Sequence, residues 1–218
     1  MANIDLTQIK QRNITPQEYV RQKLSTIDKD KPVIIYIEDN SKYFSFFKEI
    51  LDGTTLPNQL EKPKSKNIFL TTSIQEDSDS IINAGGNPLY AGHPDIIKEM
   101  VSQLNEMNVD CLVVFDVNFK ELFEHLDEDS NEEFSSITLL YDLYELNPHI
   151  DTMGVTMTAD KADQSFAALR RDLGIDIPLE SKQFIGRVIL IFTRKLYEAT
   201  LRMNEKKSKE DQSFLKEA

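Results

Sequence analysis

Two stretches of this 218-residue chain are wholly apolar and then stop on acid. Val33-Ile34-Ile35-Tyr36-Ile37 runs into Glu38-Asp39, and Cys111-Leu112-Val113-Val114-Phe115 runs into Asp116. A β-branched run with no polar alternation has no face to offer water. It folds as a strand covered on both sides, the situation of a parallel sheet between two helical layers. The acids then mark where each strand leaves the core.

The rest of the chain supplies the helices such a sheet needs. Tyr43, Phe44, Phe47, Ile50 and Leu51 fall on one side of a helix that Asp52-Gly53 stops. Ile96, Ile97, Met100, Val101 and Leu104 do the same over residues 94–107, and residues 137–146 form a helix closed by Asn147-Pro148. A strand is predicted over 153–157, ending in Thr158, then a helix over 163–173 capped by Gly174. A short last strand over 175–179 ends near Lys182, and one long helix begins at Gln183 and reaches at least Met203. Strand 2 has two candidate positions, 67–72 and 87–90, which periodicity alone does not separate.

The expected fold is therefore α/β, a doubly wound five-stranded parallel sheet. It carries an extra N-terminal helix and a long C-terminal one. Residues 1–30 form the N-terminal extension, where Thr15-Pro16-Gln17-Glu18 reads as a capping box and Tyr19, Val20, Leu24 and Ile27 as an apolar stripe that packs on the main domain or on a partner. The domain spans 31–203 with insertions near 53–92 and 119–134, and 204–218 reads as a linker or tail.

Charge and cysteine content exclude several classes. The net charge is −12 with no basic stripe, which argues against direct nucleic-acid binding. The single cysteine, Cys111, lies in an apolar run, so neither an internal disulfide nor a thiolate zinc cluster is available. No signal peptide opens the chain and no apolar run reaches membrane-spanning length, so a cytoplasmic protein with no membrane contact is expected. His93, His125 and His149 are scattered and have no neighbouring ligands. Gly85-Gly86 lacks the strand and helix that would make it a phosphate cradle, and the acidic stretch 127–133 reads as a solvated loop.

In a doubly wound sheet, ligands bind outside the carboxyl ends of the strands. There this chain places Glu38 and Asp39, Asp116, Thr158 and Lys182. Three carboxylates together repel unless a cation compensates them, and hard oxygen donors suit Mg²⁺. With a Lys ammonium and a Thr hydroxyl beside them, the set can neutralise and orient a phosphoryl group. An Asp carboxylate can accept that group as an acyl phosphate.

These residues, in this order, resemble the response-regulator receiver domain of two-component signalling. Ile37-Glu38-Asp39-Asn40 is similar to the acidic pair after its first strand, and Val113-Val114-Phe115-Asp116-Val117-Asn118 to its phosphoacceptor motif. Met157-Thr158-Ala159 is similar to its Thr-Ala pair, and the segment from Gly174 to Phe184 to the one that carries its invariant Lys. The likeness covers about residues 31–203. It implies Asp116 as phosphoacceptor, with Thr158 and Lys182 approaching the phosphoryl group. It implies Mg²⁺ held by Glu38, Asp39, Asp116 and the backbone carbonyl of Asn118. The polar residues Asn118 and Asp160 imply an acyl phosphate that is not unusually long-lived. The implied partners are a sensor histidine kinase or phosphotransfer protein and, through the last helices, a second copy of the chain. An output domain past residue 218 is also possible. More loosely, an extended receiver of this size resembles the receiver half of a Legionella-type quorum-sensing response regulator.

The pattern also departs from the family. Phe119-Lys120 stands where Met-Pro is usual, Gln183 where a Pro follows the Lys, and Leu179 at the position of the switch aromatic. These departures favour a second reading, a pseudo-receiver that serves for interaction or dimerisation without phosphorylation. A haloacid-dehalogenase-like phosphatase is a third. It needs an acid two residues after the nucleophile, where this chain has Asn118, and an acidic pair downstream, whereas Glu38-Asp39 lies upstream. The bland alternative is that acids commonly flank strands and that Thr158 and Lys182 are coincidental.

Overall fold

The fold is seen in a computed structural model that describes residues 15–38, 43–53, 67–72, 87–90, 94–116, 136–157, 167, 170–171, 174 and 177–217. The elements are α1 (Pro16–Leu24), β1 (Val33–Ile37), α2 (Phe44–Gly53), β2 (Ile68–Thr72), β3 (Asn87–Tyr90), α3 (Pro94–Glu106), β4 (Cys111–Asp116), α4 (Ser136–Leu146), β5 (Asp151–Thr156), β6 (Leu179–Ser181) and α5 (Ile185–Glu217). All strand pairings are parallel, and the sheet order is β3-β2-β1-β4-β5-β6. The expected five-stranded doubly wound sheet is present, and β3 adds a short sixth strand at its edge. Both candidate positions for strand 2 are thus strands. Pro88 has no N–H to give to a ladder, which suits β3 to an edge.

The apolar runs behave as their composition demands. Every residue of β1 is at most 1% exposed. Burying each Val or Ile of such a run is worth about 1.5–3 kcal/mol. Period-two alternation sends Val33, Ile35 and Ile37 to one layer, with α1, α3 and α4, and Ile34 and Tyr36 to the other, with α2 and α5. The N-terminal extension belongs to the first layer, and so packs on the main domain. Thr15 and Glu18 form both bonds of the capping box, and Tyr19, Val20 and Leu24 enter the core. Buried Asn67 ties this entry to β2, accepting from the Asp28 N–H and donating to the Asp28 and Lys31 carbonyls.

Two strand boundaries differ from the sequence reading. β5 begins at Asp151 and ends at Thr156, leaving Met157 exposed. The last strand comes later than 175–179: the Pro178 carbonyl accepts the Gly154 N–H, but the residue has no donor of its own, so β6 starts at Leu179. α5 runs on through Glu217, because no Gly or Pro interrupts residues 187–217.

α5 runs against the strand direction, and ion pairs moor its second half to the amino end of the sheet. Arg202 donates to Asp110 at 2.8 Å and also to Asp151, and Lys206 reaches Asp110 at 2.7 Å. Asp110 precedes β4 and Asp151 opens β5, so α5 is fixed to two adjacent strands. Among the described residues, no helix is long and apolar enough to cross a membrane.

Candidate functional site at the carboxyl edge of the sheet

Strand register brings the acids together. Ile37 pairs with Phe115, so Glu38 and Asp116, each the next residue, are neighbours across β1 and β4. Asp116 in turn pairs with Val155, and Val155 with Glu180. Lys182 lies two residues beyond that row, where its N–H still donates to the Thr156 carbonyl at 2.8 Å. Since β5 stands between β4 and β6, only a long side chain from this point can reach Asp116.

Lys182 makes that reach. Its Nζ lies 2.6 Å from Glu38 Oε2 and 2.7 Å from Asp116 Oδ2. The side chains are 2%, 0% and 6% exposed respectively, so this is a buried triad of two acids and one base. Charge is therefore not balanced within it. Burial and the nearby Asp116 carboxylate push Glu38 up to about 8, against the opposing pull of Lys182 and the hydrogen bonds from Lys182 and Tyr36.

Two tyrosines complete the surroundings. Tyr36, on β1, has its side chain on the same side as Glu38 and donates its hydroxyl to Glu38 Oε2 at 2.8 Å. Its ring stacks on Phe47 of α2, with centroids 4.5 Å apart. Tyr43, one residue before α2, places its ring under the Lys182 ammonium, 3.9 Å from Nζ to centroid. The sequence reading had assigned Tyr43 only to the apolar side of a helix and Tyr36 only to a strand. The available signal for Tyr36 was its polar tip, two residues before Glu38.

Of the predicted site residues, Glu38, Asp116 and Lys182 are brought together. Asp39, Asn118, Thr158 and Asp160 lie outside the described residues, as do Phe119 and Lys120. Leu179 opens β6 and packs against the layer of α1, α3 and α4. The peptide after Lys182 is trans, as are all others among the described residues.

The donor chemistry fits a hard divalent cation. Two carboxyl groups share the Lys182 ammonium in a buried setting, and carboxyl oxygens are the donors such a cation takes. Among the described residues, no three His, Cys, Asp or Glu side chains gather, so Glu38 and Asp116 alone represent the predicted metal set. Cys111 is remote from this chemistry. Burial, with Asp110 and Asp151 nearby, pushes its thiol up to about 12, so it stays protonated and inert. In comparisons with known proteins, this chain matches no family model, no curated protein and no solved structure.

Proposed function

We propose that this chain is the receiver of a two-component phosphorelay and takes a phosphoryl group onto Asp116. The observation that carries the reading is the buried Lys182 ammonium held between Glu38 and Asp116 at the carboxyl edge of a parallel sheet. A purely structural ion pair needs one acid. Here a second buried acid shares the same ammonium and is held well above its ordinary value, so that it keeps a proton that an incoming Mg²⁺ would displace.

In this reading a sensor histidine kinase or phosphotransfer protein presents a phosphoimidazole. An Asp116 carboxylate oxygen attacks phosphorus, the P–N bond breaks, and its electron pair leaves on the imidazole nitrogen. Lys182, already within hydrogen-bond distance of Asp116 Oδ2, then pairs with the new phosphoryl oxygens. Glu38 and Asp116 would hold Mg²⁺, with Asp39 and the Asn118 carbonyl as the remaining candidate ligands. The ion supplies positive charge to the phosphoryl oxygens. Thr158 would donate a hydrogen bond to one of them. The setting is cytoplasmic.

Incubation with Mg²⁺ and acetyl phosphate is expected to add one phosphoryl group to the wild type by intact-mass measurement and none to Asp116→Asn. No gain in the wild type, with beryllofluoride leaving its shape in solution unchanged, would rule the reading out. It would favour the pseudo-receiver, which Leu179 and Gln183 already suggest.

The homodimer belongs to the same proposal. Leu190, Tyr197 and Leu201 lie along the outer face of α5, with Phe184 just before it, and are 69%, 37%, 42% and 59% exposed. A second copy would cover them. Light scattering at micromolar concentration is expected to give twice the 25.1 kDa chain mass, and Leu190→Glu with Leu201→Glu to return it to the monomer. A monomeric wild type in both beryllofluoride-free and beryllofluoride-bound states removes the dimer.

A further inference from the structure

We infer that Tyr43 is a positioning residue for Lys182, with its ring face holding the ammonium over the Glu38–Asp116 pair. The inference rests on the reading of Asp116 as phosphoacceptor, and assigns a role to a residue outside the acceptor chemistry.

An ammonium has three N–H donors. Glu38 Oε2 and Asp116 Oδ2 each take one, at 2.6 and 2.7 Å, and the side chain is 2% exposed, so solvent has little access to the rest of the charge. The ammonium also lies over the Tyr43 ring, 3.9 Å from Nζ to centroid. The negative face of an aromatic ring attracts a cation, and most strongly where water is excluded. An aliphatic side chain of similar size would fill the space and provide no such attraction.

The attraction is also less directional than a hydrogen bond. When Asp116 carries a phosphoryl group, the acceptors for Lys182 move outward from the carboxylate to the new oxygens. Over a ring face the ammonium can follow them without first recruiting water. Tyr43 thus holds Lys182 in place before transfer and lets it move during transfer. Tyr36 acts similarly on Glu38, by a directional bond to Oε2.

The test separates the π face from mere volume. Tyr43→Phe keeps the ring, whereas Tyr43→Leu and Tyr43→Met keep apolar bulk without it. Two readouts are taken in the full chain. One is the rate of Asp116 phosphorylation by acetyl phosphate with Mg²⁺, resolved into maximal rate and half-saturating donor concentration. The other needs no phosphorylation: trace acylation of Lys182 by acetic anhydride, normalised to exposed Lys209. Loss of the ring is expected to lower the maximal rate roughly tenfold with little change in half-saturation. It is also expected to raise Lys182 acylation by about the same factor, because without the ring's attraction the side chain leaves the acid pair more often and meets the reagent. Tyr43→Phe should stay within about twofold of wild type in both, the hydroxyl contributing little to the ring's attraction. If Leu, Met and Phe behave alike, or alter only the melting temperature, the inference is overturned. If wild type takes no phosphoryl group but acylation still distinguishes Leu from Phe, the receiver reading fails and the positioning of Lys182 by Tyr43 stands.

Discussion

Lys182→Met is expected to lower the unfolding free energy by about 3–5 kcal/mol at pH 8, the cost of leaving a buried charge without its partner. The reason is local. Glu38 and Asp116 are 0% and 6% exposed, and the substitution removes the cation that bonds to both. Methionine nearly matches the lysine stem in volume, so the loss is electrostatic and not a cavity. A surface pair offers the contrast: Arg194 with Glu198 joins side chains 77% and 41% exposed, where solvent screens either charge left alone. Urea unfolding of wild type, Lys182→Met, Asp116→Asn and the double variant forms a complete cycle. The double variant is expected to recover most of the loss, because the Asp116 carboxylate no longer repels Glu38, whose carboxyl can hold a proton. Millimolar Mg²⁺ is expected to restore part of the stability of the single Lys182 variant. A single variant within about 1 kcal/mol of wild type would mean that the triad is not the buried, charge-deficient group described, and would weaken its assignment as a phosphoryl site.

Much of the architecture was legible because burial leaves a compositional trace. Val33–Ile37 and Cys111–Phe115 have no polar face, and both are central strands. Thr15 and Glu18 announce a helix start through a pattern whose two hydrogen bonds are local, so no tertiary knowledge was needed. Pairing partners were less legible. The two candidates for strand 2 could not be ranked because strand character says nothing about which edge a segment joins, and the sheet takes both. The site was half legible for a related reason. Glu38, Asp116 and Lys182 follow strand-forming runs and so mark strand ends. That Lys182 spans β5 to reach both acids depends on strand order, which no local pattern encodes. Tyr36 and Tyr43 were read by their apolar bodies, since sequence shows neither where a phenol hydroxyl points nor what a ring face meets. The order of the five-strand core hosts many chemistries, so the proposed function rests on the triad and not on the fold.

The same triad sets an unusual pH dependence. Without a divalent cation, stability is expected to fall as pH rises from about 5 to 8, most steeply by roughly 1.4 kcal/mol per pH unit. The sign follows from Glu38, whose carboxyl rises from 4.5 to about 8 on folding, through burial first and the Asp116 carboxylate second. In that window the folded chain keeps a proton that the unfolded chain has released. Raising pH therefore favours the unfolded state. The stabilisation is full below about 4.5 and is lost as pH passes through about 8. Glu38→Gln imitates the protonated carboxyl, so it should match wild type near pH 5 and exceed it at pH 8. Urea melts from pH 5 to 9 in EDTA measure this directly. A flat or rising wild-type profile, or a Glu38→Gln variant that runs parallel to it, would remove Glu38 as the source. Adding Mg²⁺ discriminates further, since a cation that binds the ionised carboxylate stabilises the folded state most where the proton is weakest. Wild type should gain more from Mg²⁺ at pH 8 than at pH 5, and Glu38→Gln should gain little at either. Relief of that acid by a cation would be better explained by the chemistry proposed at Asp116 than by any need of the sheet.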